Sequence, residues 1–451
     1  MSTNQLLLAT VVMVFLITAA RLAGWAAAFV SSYLITLCGL TTVLYFVEGW
    51  GGTQGIAPSA PTVFFGDLLL LGGLAAIWAG GGRLEIGWLL AGFGIPALFL
   101  LATVWGNTPE QWSGLKLYLT AILSFGVGRW LSENLTDRRA FVLACACFMT
   151  CAIQFIVTFA QWMGINEFAY RSYSSATKAI IANQGRMVGL YEHPGTLGKT
   201  MLLLLCFLFP LSLRSQVATR RLAYIAIALA SFATLLTLSR ANSLAIILAL
   251  ILWPILRGKV NETVKILGAA AAVGIVIAIN TSVFTDLFSR FDDTSGGPRG
   301  HLMEIGMQQI RTAPLTGTGP NYYTVVVAQY DALAAGGLPV HNSLMLATAE
   351  LGLPLALVFL ACPAIAVLRA ARSIFRYRAI DSQSAALLSV LPGIALAGWT
   401  GWGLLATETL PLWFMAFGFV SSRRKEIWTS HGDADCHELR LAGAEPSPMR
   451  T

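Results

Sequence analysis

The chain has 451 residues, of which 56% are hydrophobic and only 11% charged, with a formal net charge of +7 and mean hydropathy +0.70. A soluble globular chain carries about 25% charged residues, so this composition excludes one and indicates a polytopic membrane protein. No basic face on a soluble domain stands behind the positive balance, which excludes a nucleic-acid binder; it reads as loop lysine and arginine, with some attraction to anionic headgroups.

Spans need roughly 20 apolar residues, and candidates recur at 5–20, 24–47, 62–79, 85–105, 115–130, 140–163, 198–213, 222–238, 242–256, 264–280, 342–368, 384–405 and 408–421. They predict an all-α, polytopic transmembrane bundle of about twelve helices, or thirteen if neither terminal pair is merged. Gln5–Ala20 reads as the first of them rather than a cleaved signal, because no charged region, apolar core and cleavage site stand apart there. Two connections are long and too polar to span, Gly164–Gly198 and Thr281–His341. The tail 430–451 is polar, holds Pro446 and Pro448, and is expected to be disordered.

Five basic loops fix an orientation: Arg129/Arg138/Arg139, Arg214/Arg220/Arg221, Arg257/Lys259/Lys265, Arg369/Arg372/Arg376/Arg378 and Arg423/Arg424/Lys425. Counting spans puts all of them on one side, the cytoplasmic one by the positive-inside rule. Both long connections then share the extracytoplasmic face. The side of the amino terminus depends on whether the first two segments count as one.

Most cysteines lie inside apolar runs, where they act as small core hydrophobes, and Cys145, Cys147 and Cys151 fit no zinc spacing. The chemistry-bearing residues lie elsewhere. Arg240, in Leu238-Ser-Arg-Ala-Asn-Ser243, stands between two apolar runs with almost no loop to shelter it. A guanidinium there is costly unless it pairs or faces a wet cavity, whereas a snorkelling helix-end arginine is the plain alternative. Arg186, Glu192 and His193 sit in a glycine- and proline-bearing segment directly before a span and form a candidate second wall, with a solvated loop as the alternative. Lys178 and Lys199, nearby, carry no signal of their own.

Arg290 and Arg299 flank Asp292-Asp293. Guanidinium groups suit a pyrophosphate, which they grip in a bidentate fork. Two adjacent loop aspartates are more often a solvated turn than a metal site, so no metal or other cofactor is expected. His341 ends the second polar stretch where an apolar helix begins, a position for a general base, while Asn342 or Ser343 can cap that helix. Glu350, nine residues further on, falls on the opposite helical face and is expected to pin a neighbouring helix. Glu408 stands between the last two spans, lining the same cavity or facing water. Gly317-Thr-Gly319 lacks the Lys-Ser/Thr ending and preceding strand of a nucleotide loop; a turn that places Asn321 and Tyr322 accounts for it better. Tyr322, Tyr323 and Trp162 are candidates for stacking on sugar rings, although interfacial aromatics usually anchor.

In order, Arg186 with Gly189 and Pro194, Leu238-Ser-Arg240, Arg299, Pro314-Leu-Thr-Gly-Thr-Gly-Pro-Asn321, Val340-His-Asn-Ser-Leu344 and Ala349-Glu-Leu-Gly-Leu-Pro354 resemble the signature of the O-antigen ligase and polymerase superfamily. The signature covers residues 183–355, and Leu355-Ala356 departs from it where glycine is usual.

The resemblance implies one transmembrane glycosyltransferase domain over residues 1–429, in a bacterial cytoplasmic membrane with the site on the periplasmic face. It implies inverting, metal-independent transfer of a glycan from undecaprenyl pyrophosphate to an acceptor sugar hydroxyl. That acceptor belongs to lipid A-core for a ligase and to the next repeat unit for a polymerase, for which a chain-length regulator is a possible partner protein. By position, Arg186 and Arg240 are expected at the donor pyrophosphate and His341 at the acceptor hydroxyl; the reading of the residues themselves adds Arg299, Arg290, Asn342, Tyr322 and Glu192 as expected substrate contacts. The rival class, a transporter or flippase for a lipid-linked or anionic solute, predicts internal repeats and mid-span charges. No convincing repeat is found, and the notable charges gather at one face.

Overall fold

A computed structural model describes residues 3–40, 57–58, 62–87, 90–165, 181–182, 184–258, 297–377 and 380–421. Every regular element among them is helical. The helices are α1 (Thr3–Ala23), α2 (Trp25–Ile35, continued by a π-turn Thr36–Leu40), α3 (Phe65–Ala79), α4 (Ile95–Ala102, preceded by a π-turn Leu90–Gly94), α5 (Pro109–Glu133), α6 (Asp137–Trp162), α7 (Pro194–Leu211), α8 (Val217–Leu236), α9 (Arg240–Leu256), α10 (Gly297–Thr312), α11 (Tyr323–Val327), α12 (Ala332–Ala335), α13 (Ser343–Tyr377), α14 (Ser382–Trp399) and α15 (Thr409–Val420). Five are long and apolar enough to cross a membrane, and six shorter apolar helices accompany them. The expected span 264–280 lies outside the described residues, as does the tail.

Both terminal pairs are separate helices. Gly24, at φ 85°, breaks the chain between α1 and α2, which pack on one another. Irregular residues 400–408 part α14 from α15. Helix starts follow caps written in the sequence. Thr108 and Gln111 cap α5 reciprocally, with Pro109 in the first turn, and Asp381 accepts from the main-chain N–H groups of Gln383 and Ser384 to open α14.

Without water to drive them together, membrane helices associate by close packing of small residues. A side chain on Gly128 or Gly418 would strike the opposing carbonyl of Met415 or Phe125, so these two glycines let α5 and α15 meet backbone to backbone. On α8, Ala223, Ala226, Ala230 and Ala233 repeat at helical spacing, are fully enclosed, and form the buried stripe of a helix that packs on α6. From Met201 through Leu208 α7 is apolar all round and completely buried, the pattern of a central helix. It is surrounded by α6, α8, α9, α14 and α15.

The second polar stretch, expected to be a loop, contains helix α10. Leu302, Gly306 and Gln309 are its buried stripe, and Gly306 approaches Val340 and Met345 at the start of α13. Two short helices, α11 and α12, complete the cap, tied to α10 by the His301–Asp331 pair.

Candidate functional site

The starting turns of α7, α9 and α13 meet at one end of the bundle. Between α8 and α9 only three residues intervene, with Leu238 in the left-handed region at φ 49°, a strained conformation for a branched side chain. Thr237 braces the turn: its hydroxyl donates to the Thr234 carbonyl (2.6 Å) and accepts from the Ser239 N–H (3.2 Å). Its own carbonyl accepts from Arg186 Nε at 3.2 Å, while Met187 N–H donates to the Leu236 carbonyl at 3.2 Å. Arg186 is therefore fixed against the turn that carries Arg240, and both guanidiniums are half-buried there.

The segment from Arg186 to His193 is irregular backbone lying against the spans, so its polar groups need protein partners. Two glutamines of α6 supply them. Gln161 Oε1 accepts from Val188 and Gly189 N–H and its Nε2 donates to the Gly189 carbonyl, each at 3.0 Å. Gln154 Oε1 accepts from Leu190 N–H at 3.0 Å, and its Nε2 donates to the Cys38 carbonyl at 2.7 Å. Gly189, at φ 63°, leaves no room for a Cβ against the Gln154 amide.

His193 closes this segment as the cap of α7: Gly195 N–H donates to its Nδ1 at 3.0 Å. Glu192 stands beside it, half-buried. Asn242 of α9 donates from Nδ2 to the Gly195 carbonyl at 3.0 Å, and Gly198 lets the two helices approach that closely. The His193 side chain is exposed at this corner, although protein crowds around its ring. That crowding desolvates the imidazolium and, with the positive charges of Arg186, Lys199, His341 and Arg299, lowers its pKa to about 3.

His341 precedes α13, half-buried, with Nδ1 facing the Pro339 carbonyl at 3.1 Å. Its pKa is lowered as well, first by burial and then by Arg299 and Lys199, against the opposing pull of the Pro339 carbonyl. Arg299, in the first turn of α10, is exposed. Asn342 is buried, and its Oδ1 is taken up in capping α13 through Leu344 and Met345 N–H (3.0 and 3.1 Å). Arg290 and the Asp292-Asp293 pair lie outside the described residues. Among the described residues, no group of three His, Cys, Asp or Glu side chains converges as a metal site would require.

The glycine-rich stretch is a turn that leads into Asn321 and Tyr322, and it also braces α13. Thr318 and Gly319 N–H donate to the carbonyls of Ala349 and Glu350 (both 2.9 Å), and Leu353 N–H donates back to Pro314 (2.8 Å). α13 is broken at that point by Gly352, at φ 73°. Asn321 side-chain atoms then reach across to Ala57 N–H, the Pro58 carbonyl and the Glu110 carbonyl (2.9, 3.1 and 3.3 Å). Glu350 was expected to pin a helix; instead its buried carboxyl faces the main-chain N–H groups of Asn321 and Tyr323 at the end of this turn. Tyr323 is fully enclosed and unavailable to a sugar, whereas Tyr322 is half-buried and Trp162 is exposed. Glu408 is buried before α15, and its charge bears on Tyr191.

Lys199 was passed over in the sequence, yet its charge bears on both histidines from the second turn of α7. A cation one turn inside an apolar run is by itself a functional signal, and that signal was available. The assembled corner brings together two imidazoles, three guanidiniums and an ammonium, an arrangement suited to an anion.

No curated protein matches the chain. The family model described as O-antigen ligase matches residues 225–360, which take in Arg240, Arg299, the glycine-rich turn and His341; over this segment the chain is similar to that family.

Proposed function

We propose that the protein transfers a glycan from undecaprenyl pyrophosphate to a sugar hydroxyl of an envelope glycan acceptor, at the periplasmic face of the cytoplasmic membrane. The observation that carries this reading is the convergence of Arg186, the Arg240 turn, Arg299, His193 and His341 on one corner of the bundle. In that reading Arg186 and Arg240 hold the donor pyrophosphate, with Arg299 at the rim, and offset the charge that builds on it as it leaves. The acceptor oxygen attacks the anomeric carbon from the side opposite the pyrophosphate. The new C–O bond forms as the carbon–phosphate-oxygen bond breaks, and the pyrophosphate departs with the bonding electrons. A single displacement of this kind inverts the anomeric centre. The hydroxyl proton passes to His341 Nε2, or is only steered by it where leaving-group departure dominates. Cationic side chains take the charge-neutralising role that a metal would otherwise have.

The test is transfer by the purified protein from an undecaprenyl-pyrophosphate oligosaccharide, alone and with lipid A-core, for wild type and Arg240→Ala. A ladder of longer lipid-linked glycans marks a polymerase, and one transfer only with the core marks a ligase. Arg240→Ala is expected to lower transfer on the order of 100-fold or more, as loss of one charge-stabilising group does, while inserting normally. Wild-type rates in that variant would remove Arg240 from the donor site. Failure of the wild type to release undecaprenyl pyrophosphate with either acceptor would remove the transferase reading.

A further inference from the structure

Lys199 lies in the second turn of α7, and only 8% of it is exposed. Among the described residues no hydrogen-bond or ion-pair partner holds its ammonium group. The space around Nζ is made by glycines: a Cβ on Gly403 would stand 2.8 Å from it, one on Gly401 3.2 Å, and one on Gly195 3.9 Å. Ser343, at the start of α13, fixes the far wall by donating from Oγ to the Gly401 carbonyl at 2.7 Å. Side-chain-free backbone from α7 and from residues 400–408 therefore sheathes the ammonium, and its charge reaches the rings of His193 and His341.

A buried, unpaired cation is destabilising, and removing it or pairing it relieves the cost. A chain that retains one beside its histidines, with glycines making way for the ammonium itself, has it poised for a counter-charge that arrives with a ligand. We propose that Lys199 is a third cationic contact of the site, binding a phosphate oxygen of the prenyl-linked pyrophosphate from below while Arg186 and Arg240 hold it from the side. This inference rests on the donor reading given above and names a further positioning residue within it. Lysine suits the place better than arginine, because a compact ammonium fits a glycine-lined sleeve that a planar guanidinium would overfill.

The test uses the full-length protein in nanodiscs, with farnesyl pyrophosphate as the probe and farnesol as the uncharged control. Binding and melting temperature are measured for wild type, Lys199→Met, Lys199→Arg and Arg240→Ala. Lys199→Met is expected to bind farnesyl pyrophosphate about tenfold or more weakly, as loss of a charge-assisted hydrogen bond does, with farnesol binding unchanged. Its unliganded form is expected to melt at a higher temperature than wild type, because the uncompensated charge is gone. A merely structural lysine would give the reverse, a lower melting temperature with unchanged pyrophosphate affinity, and would overturn the proposal. Wild-type affinity in Lys199→Met alongside weakened affinity in Arg240→Ala overturns the role of Lys199 alone. No pyrophosphate-dependent binding by the wild type, or full affinity in both variants, overturns the donor reading on which it rests.

Discussion

The two histidines carry opposite hydrogen-bonding faces. At His193 a main-chain N–H donates to Nδ1, so the neutral ring bears its proton on Nε2 and can only donate from that atom. At His341 the neighbour of Nδ1 is a carbonyl, which can only accept; the neutral ring therefore holds its proton on Nδ1 and presents a lone pair on Nε2. One imidazole is thus set to donate to an anion and the other to accept a proton, a division invisible in a sequence that shows only two histidines. Burial and the surrounding cations lower both pKa values from 6.5, so both rings are neutral at neutral pH and His341 is in the form a base requires. Protonation at Nε2 removes that lone pair, so kcat/KM is expected to hold steady down to about pH 6.5 and to fall only in more acid solution. His341→Gln is expected to be slow and to lack the limb. A pH–rate profile whose acid limb is centred above the ordinary histidine value would show that His341 is not the group being titrated.

At the scale of elements, the spans were legible because hydropathy and caps are local: Thr108-Pro109 and Asp381 announce their helices within a few residues. Polar stretches were read less well. α10 has too many charges to stand out, and its buried stripe of Leu302, Gly306 and Gln309 makes sense only once α13 lies beside it. The backbone from Arg186 to His193 looked like a solvated loop as readily as a wall of the site. What decides between them is α6, whose Gln154 and Gln161 are seven residues apart and so share a face. A pair of glutamines on a membrane helix was a readable sign that irregular backbone lay opposite, although not of which backbone. Gln161→Leu would leave the N–H groups of Val188 and Gly189 and the Gly189 carbonyl without their partner. Each buried orphan costs roughly 1–3 kcal/mol, and Arg186 hangs on the same segment. The variant is expected to melt several degrees lower and to lose transfer with it; an unchanged melting curve would mean that this segment is held by other contacts.

The bundle as a whole turns helix ends into a functional face. α7, α9 and α13 start at the site, and α6, α8 and α14 end beside it, so the turns between α5 and α6 and between α7 and α8 lie at the far end. Those turns and the helix starts that follow them hold Arg138 and Arg139 in one case and Arg214, Arg220 and Arg221 in the other. α7 alone, at 18 residues, separates the two ends by about 27 Å, close to the thickness of a hydrocarbon core. Arginine thus occurs at both ends for different reasons. At the far end it lies in or beside exposed and half-exposed turns, where the positive-inside rule accounts for it; at the site Arg186 is held by the Thr237 carbonyl and the arginines are gathered with other cations, which that rule does not require. For these two loops the sequence count puts them at one end as the fold does, because alternation of span ends is a local count, whereas the crowding needed the fold. If the far end is cytoplasmic, a single cysteine at exposed Leu338, beside the site, is expected to react with a membrane-impermeant maleimide on intact spheroplasts. One at exposed Ser215 is expected to react only after permeabilisation, both in a background with the native cysteines replaced. The reverse pattern would put the histidines and arginines in the cytoplasm, away from any glycan presented on the outer leaflet, and would end the transferase reading through topology alone.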